Sequence, residues 1–341
     1  MQNPNRKNTD WFTSLKQDAA IYGEQFAKFM FGIAAKLGTA DEVAKKNYSL
    51  GLMHLNQGNF SDAIFRFKAV TWLQPQNADA WYYLGIVSLA DEQKKMAVAA
   101  FSRAKKLRPD YEEAAYMFAI ARGKNAKPDE MPQSMPLTLA LNHFEGIAPT
   151  YEESQLGEFN YQGHTLVAAA IRKHATKGRV DYTALDLGVG TGLCGPLVKD
   201  ITAEITGVDI SEIMLQKAIT LKDGSDKVYN ALIKRDAREF LTESPDTAYD
   251  LIIACGLFSF MGDLQQTFAE IARGLRTGGL FVFTAEMMEG DGFQLDPDAG
   301  LFRFSEIYLK GLATNNGLTE LSFEEVEVYP NHKQWLCVYK K

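Results

Sequence analysis

Asp186-Leu187-Gly188-Val189-Gly190-Thr191-Gly192 is the stretch on which the fold turns. It ends the short apolar run 183–188 (TALDLG), so it reads as the turn out of a first strand. Glycines at this point permit a tight turn and leave room for a ligand to lie against backbone. A dinucleotide fingerprint needs glycine at position 193, where the chain has Leu193, which disfavours a nicotinamide oxidoreductase. The spacing is GxGxG, with the carboxylate of Asp186 two residues ahead of the first glycine.

Working outward, further Ile-, Leu- and Val-rich runs lie at 203–209, 228–236, 249–255 and 279–286, with helix-patterned segments such as 211–221 and 264–275 between them. Alternating strand and helix with continuous apolar strands predicts a parallel sheet covered on both faces. The final two strand-like stretches, separated only by Asn331, have hairpin spacing and predict an antiparallel edge. The expected architecture is therefore a Rossmann-like, seven-stranded, doubly wound α/β sheet with an antiparallel C-terminal hairpin. Ligands of such sheets bind beyond the carboxyl ends of the strands. Asp209 ends the second strand there, where a carboxylate can accept both hydroxyls of a ribose, and Asp236 ends the third.

The front of the chain has a different period. Leu50-Gly51 recurs as Leu84-Gly85, Ala63 as Ala97, Phe67 as Phe101 and Pro75 as Pro109, every time at an offset of 34. Small residues let two helices approach, the phenylalanines fill the space between neighbours, and the prolines stop the second helix of each unit. With Trp81 completing the pattern, this resembles the tetratricopeptide repeat, with two copies at about 44–77 and 78–111. A capping helix over 111–122, with Ala119 at the position of Gly85, completes an N-terminal helical solenoid spanning 44–122. Residues 123–136, with Pro128, Pro132 and Pro136, form a linker, and 137–341 the second domain. Trp11, Leu15, Tyr22, Phe26, Ile33 and Leu37 recur at helical spacing within 1–43. They read as helices that pack on the repeats, or as a membrane-surface or oligomerisation helix.

The composition is that of a globular protein: 341 residues, 46% hydrophobic and 23% charged, with a net charge of −7. Residues 1–136 carry 18 basic and 14 acidic residues; 137–341 carry 18 and 29. An acidic second half argues against a grip on nucleic acid. Cys194, Cys255 and Cys337 form no CxxC pair, which excludes a disulfide framework and any strong zinc signature, so no metal is expected. The longest apolar stretch, 26–37, contains Lys28 and Lys36 and is shorter than the roughly 20 residues of a membrane span. With no export-type leader, a cytoplasmic location is expected.

In order and spacing, the LDLGVGTG, GVDIS, KRDA, YDLIIAC and LRTGG stretches resemble the motifs of class I S-adenosylmethionine-dependent methyltransferases. Phe144-Glu145-x-x-Ala148-x-x-Tyr151 resembles their lead-in helix, and the whole chain is similar to bacterial predicted methyltransferases fused to tetratricopeptide repeats. The resemblance implies S-adenosylmethionine as cofactor and S-adenosylhomocysteine as product. It places Gly188, Gly190 and Gly192 along the methionine moiety, Asp186 near its ammonium and Asp209 on the ribose hydroxyls. Met214 packs on the adenine, Asp236 accepts its amino group with the Ala237 amide alongside, and Cys255 is near the sulfonium. Tyr151 and Ile210 join the same cofactor side. Read from its residue type alone, Met214 serves equally as core filler, and Asp209 and Asp236 as turn or capping carboxylates. Cys255 lacks the preceding proline typical of thiolate attack on pyrimidines.

The implied chemistry is methyl transfer by in-line displacement to a small-molecule or protein acceptor, with the cofactor carrying the activated group. A base, where one is needed, has four candidates: His143, His164, Glu286 and Tyr308. The repeats would contact a protein partner or a second copy. The alternative is a non-catalytic scaffold whose methyltransferase-like half senses the cofactor.

Overall fold

Runs of Leu, Ile and Val buried on both sides cannot alternate with polar residues, and they settle at the centre of a sheet. In the computed structural model, which describes residues 40–341 apart from Ser225, every residue of the run Tyr249–Ala254 is buried. The chain divides into two units, Met1–Pro132 and Gln133–Lys341. The aromatic pattern over 1–37 lies outside the described residues.

In the first unit, helices Ala40–Asn56 and Phe60–Leu73 pack together, as do Ala78–Ala90 and Lys94–Leu107, and Glu112–Arg122 packs on the last of these. The bounds repeat at the sequence period: Asn56 and Ala90 end the first helix of each pair, and Phe60 and Lys94 begin the second. A Cβ on Gly51 would stand 2.8 Å from Phe67 Cζ, and one on Gly85 would stand 2.5 Å from Phe101 Cε1. Each glycine is thus the floor on which the next helix's ring rests. Ala63, Phe67, Ala97 and Phe101 are all fully buried. Trp81 fixes the link between the pairs by donating its indole N–H to Pro75 O at 3.0 Å.

The strands of the second unit are β1 (Tyr182–Leu187), β2 (Thr202–Asp209), β3 (Lys222–Asp223), β4 (Asp226–Lys227), β5 (Ala231–Lys234), β6 (Tyr249–Ala254), β7 (Leu275–Glu286), β8 (Phe293–Asp296), β9 (Leu301–Phe304), β10 (Thr319–Tyr329) and β11 (His332–Lys340). Seven form one sheet in the order β10-β11-β7-β6-β1-β2-β5. β1, β2, β5, β6 and β7 run parallel, while β11 is antiparallel to β7 and β10 to β11. Chain order reverses at β1, which has β2 on one side and β6 on the other, making a switch point where a crevice opens.

The structure differs from the sequence reading in places. The third parallel strand covers only Ala231–Lys234, because Val228 and Tyr229 turn into the core beneath β1. The helix expected over 211–221 ends at Ala218, and the chain then forms the small β3–β4 ribbon. A second ribbon, β8–β9, precedes the helix Glu306–Asn315, whose N-cap Ser305 accepts from Tyr308 N. Residues Pro330 and Asn331 make the final turn, with Asn331 at φ +62°. Among the described residues, no helix is long and apolar enough to cross a membrane.

Truncating Phe101 removes the ring that Gly85 accommodates and leaves a cavity in the first unit's core. Phe101→Ala is expected to cost about 3–5 kcal/mol. Urea unfolding of the full chain, followed by helical circular dichroism, should show part of the signal lost at lower denaturant. An unshifted profile would contradict this packing.

Candidate functional site

The crevice at the switch point is a cavity of about 450 Å³. Its lining comes from the carboxyl ends of β1 (Asp186, Gly188, Val189), β2 (Val208, Asp209), β6 (Cys255, Gly256, Leu257) and β7 (Glu286). The helix Leu137–Ile147 and the π-type turn Glu153–Glu158 add residues from before β1, and the β10–β11 hairpin adds Tyr329, His332 and Gln334.

The turn after β1 needs its glycines. Gly188, Gly190 and Gly192 have φ of +66°, +55° and +88°, the left-handed region that other residues enter at a cost. Gly188 and Gly190 line the cavity, and nothing lies within 4 Å of a Cβ built on Gly190. Gly192 does not line it: its Cβ would meet Leu221 Cδ1 at 2.7 Å and Tyr229 Cε2 at 2.9 Å. Its task is close packing against the following segment, which corrects the expectation that all three glycines face a ligand.

Asp209 closes the turn from the other side. Its Oδ2 accepts from Gly190 N at 2.8 Å and its Oδ1 from Ser211 N at 2.9 Å. Burial pushes its carboxyl up, and these amide donors pull it back. Asp236 is the N-cap of the helix Ala237–Glu243, accepting from the amides of Arg238 and Glu239, and it also lines the cavity. Ile210, Met214 and Ala237 form apolar wall nearby, with Met214 1% exposed. Core filler and cavity wall are therefore the same role for Met214.

Deeper, Asp186 is 3% exposed and accepts from the Tyr229 hydroxyl at 2.8 Å. Tyr229 was not legible as a site residue, because its segment reads as plain strand. Tyr161 and Cys255 meet at 3.2 Å between oxygen and sulfur. Cys255 is pulled down by hydrogen bonds from the Cys194 thiol and Tyr161, and the same thiol contact pushes Cys194 up. Burial beside Cys255 pushes Tyr161 up, and burial likewise pushes Tyr151 up, so both remain phenols at neutral pH.

Of the four base candidates, His143, His164 and Glu286 line the cavity. Tyr308 does not. Its hydroxyl donates to Asp263 Oδ1 and accepts from Leu264 N, both at 3.0 Å, so it ties the helix Glu306–Asn315 to another loop. Desolvation lowers His164 below the usual imidazole range, and its buried Nδ1 has no hydrogen-bond partner among the described residues. His332, Gln334, Tyr329 and Gln155 also line the cavity, although none belongs to a recognisable motif. The first three lie in a terminal hairpin whose place beside β7 only the sheet order reveals.

Residues 185–283 match the family described as a methyltransferase domain. The chain is 32% identical over 136 residues to phosphatidylethanolamine N-methyltransferase of Cereibacter sphaeroides, covering 40% of this chain and 64% of that one. It is 29% identical over 198 residues to a malonyl-acyl-carrier-protein O-methyltransferase of Halalkalibacterium halodurans, covering 52% of this chain and 72% of that one. A counterpart from Paenibacillus is 25% identical over 35% of this chain, which spans 44% of its length. The chain thus spans less than two thirds of two of these relatives. Among solved structures, the 4+2 cyclase SpnF overlays with a TM-score of 0.50 at 17% identity, over 62% of this chain and 98% of that one, which shows the fold. Within the second unit, residues 185–283 thus match a methyltransferase domain, on a fold shared with SpnF.

Burial pushes the Asp186 carboxyl up to about 7, against the opposing hydrogen bond from Tyr229. The folded chain then holds a proton that the unfolded chain has already lost, so this group's contribution to stability declines as pH rises from about 4 to about 7. Asp186→Asn is expected to flatten that part of the stability profile, read as urea midpoints across the range. Equal slopes in the two proteins would show that Asp186 does not carry the dependence.

Proposed function

We propose that the chain is a methyltransferase that binds S-adenosylmethionine between the glycine turn, Asp209 and Asp236, and passes the methyl group to a small-molecule or protein acceptor. The observation that carries this reading is Asp209. Its carboxylate stands at the end of the strand next to the switch point, oriented by two backbone amides and open to the cavity. The remaining lone pairs suit two vicinal hydroxyls.

The residues present fit the cofactor by their chemistry. Asp236 offers a second acceptor beside apolar Ile210, Met214 and Ala237, as a purine with an exocyclic amine requires. Gly188 and Gly190 leave the floor of the cavity without side chains, and Asp186 puts a carboxyl where an ammonium group would neutralise it. When bound, S-adenosylmethionine supplies an already activated methyl group. The chain's own work is then to position and to exclude water. Tyr161 is held by Cys255 and packed on Tyr329, with ring centroids 5.0 Å apart, so it forms a fixed wall above the floor. His164, whose Nδ1 has no hydrogen-bond partner among the described residues, is a candidate to take a proton from an acceptor. The related N- and O-methyltransferases support a methyl acceptor through nitrogen or oxygen.

The helix pairs at a 34-residue period support a tetratricopeptide-type array that contacts a protein partner or a second copy of the chain. Sedimentation of the full chain over a range of concentrations distinguishes self-association from the need for another protein.

Calorimetry with S-adenosylhomocysteine tests the site. Asp209→Ala should weaken binding by about tenfold or more, because a charge-assisted contact to two hydroxyls is lost. Unchanged affinity would remove Asp209 from the site, and no binding by the wild-type chain would overturn the reading.

A further inference from the structure

At its other end the cavity is built around one buried carboxylate. Glu286, the last residue of β7, is 6% exposed. Its Oε2 is 2.9 Å from His332 Nε2 and its Oε1 accepts from Gln334 Nε2 at 2.7 Å. Gln334 is the cross-strand partner of Glu286 in the β7–β11 register, so the antiparallel edge strand holds this group in one orientation. The His332 imidazole is also 3.2 Å from Oε1, so Oε1 meets both donors while Oε2 meets only the imidazole and keeps an acceptor position for another donor.

Gln334 adds an independent sign that a ligand belongs here. Its side chain is 4% exposed and spends its N–H on Glu286, which turns its Oε1 away from that carboxylate. That oxygen has no donor among the described residues, a cost the fold carries unless something else supplies an N–H or O–H.

The surroundings choose among donors. The lining arginines, Arg235 and Arg238, sit beside Asp236 at the nucleoside end, and among the described residues no lysine lines the cavity. From Glu286 a row of rings leads back toward Cys255: His332 to Tyr329 at 5.7 Å, Tyr329 to Tyr161 at 5.0 Å, and Tyr161 to Cys255 by its hydroxyl at 3.2 Å. Tyr329 spends its own hydroxyl on Gln155, so it offers the row a ring face. Aromatic faces beside a carboxylate suit a cation. An alcohol brings a single donor hydrogen, whereas an ammonium group brings enough for both Glu286 and Gln334.

We propose that Glu286 and Gln334 form the docking point for an ammonium group on the methyl acceptor, which makes the acceptor a small amine with an apolar body. The proposal rests on the methyltransferase reading, since it assigns the acceptor end of that same cavity. It concerns the group that anchors the acceptor.

The test uses the full chain saturated with S-adenosylhomocysteine, and three probes that share one body: 2-phenylethylamine, 2-phenylethanol and phenylacetate. Titration is done at mildly alkaline pH, where the amine remains charged. The amine should bind about tenfold or more tighter than either other probe, and Glu286→Gln should erase that margin. Gln334→Met, which keeps the carboxylate, should weaken amine binding by about threefold and serves if Glu286→Gln does not fold. Phenylacetate binding as tightly as the amine, or no amine binding at about 10 mM, would overturn the proposal. So would an amine preference that survives the folded Glu286→Gln protein or is untouched by Gln334→Met. Failure of the wild-type chain to bind S-adenosylhomocysteine would bring down the methyltransferase reading and this inference together, whereas failure of the amine alone leaves that reading intact.

Discussion

One phenol holds the catalytic-type turn together. Tyr229 donates to Asp186 at 2.8 Å and to Gly192 O at 3.2 Å, and accepts from Gly195 N at 3.1 Å. It therefore joins the end of β1 to the end of the glycine turn and to Gly195, the first residue of the short helix that follows. Gly192 and Gly195 make this closeness possible, because a Cβ at either position would overlap the Tyr229 ring. With the turn pinned from beneath, Gly190 N is presented to Asp209 and the floor of the cavity is set. The left-handed glycines make the path sterically open, and Tyr229 selects it.

The parts of this architecture that were legible in advance are those governed by local periodicity. The 34-residue recurrence places Phe67 and Phe101 because each must fill the space over a glycine one helix away. β6 is buried throughout, β1, β2 and β7 are largely apolar toward their carboxyl ends, and the strand ends that carry Asp209 and Cys255 follow from this pattern. What was not legible depends on contacts distant in sequence. Tyr308 is one of the four candidate bases by residue type, yet its hydroxyl is claimed by Asp263. His332 and Gln334 reach the cavity because β11 pairs directly with β7, a contact between segments distant in sequence. Tyr229 was read as strand because its neighbours are apolar, although its polar end decides its position.

The acidic excess of the second half has more than one origin. Glu320, Glu324, Glu325 and Glu327 lie on β10, an edge strand, where exposed charge discourages pairing with other chains. Asp250 is buried at the amino-terminal side of β6 and is held by Arg179 and Arg276. Only a few carboxylates, among them Asp186, Asp209, Asp236 and Glu286, reach the cavity. Overall charge therefore says little about the ligand, whereas the sites of these four say a good deal.

Gly163 opens the helix that follows Tyr161, and a Cβ there would lie 2.1 Å from the Tyr161 hydroxyl. That hydroxyl is the one that meets Cys255. A side chain at 163 would therefore expel the tyrosine from the thiol, and a smaller residue at 161 would release the constraint on 163. The dependence runs one way: a tyrosine that reaches the thiol from position 161 requires glycine at 163, whereas glycine at 163 accepts any residue at 161.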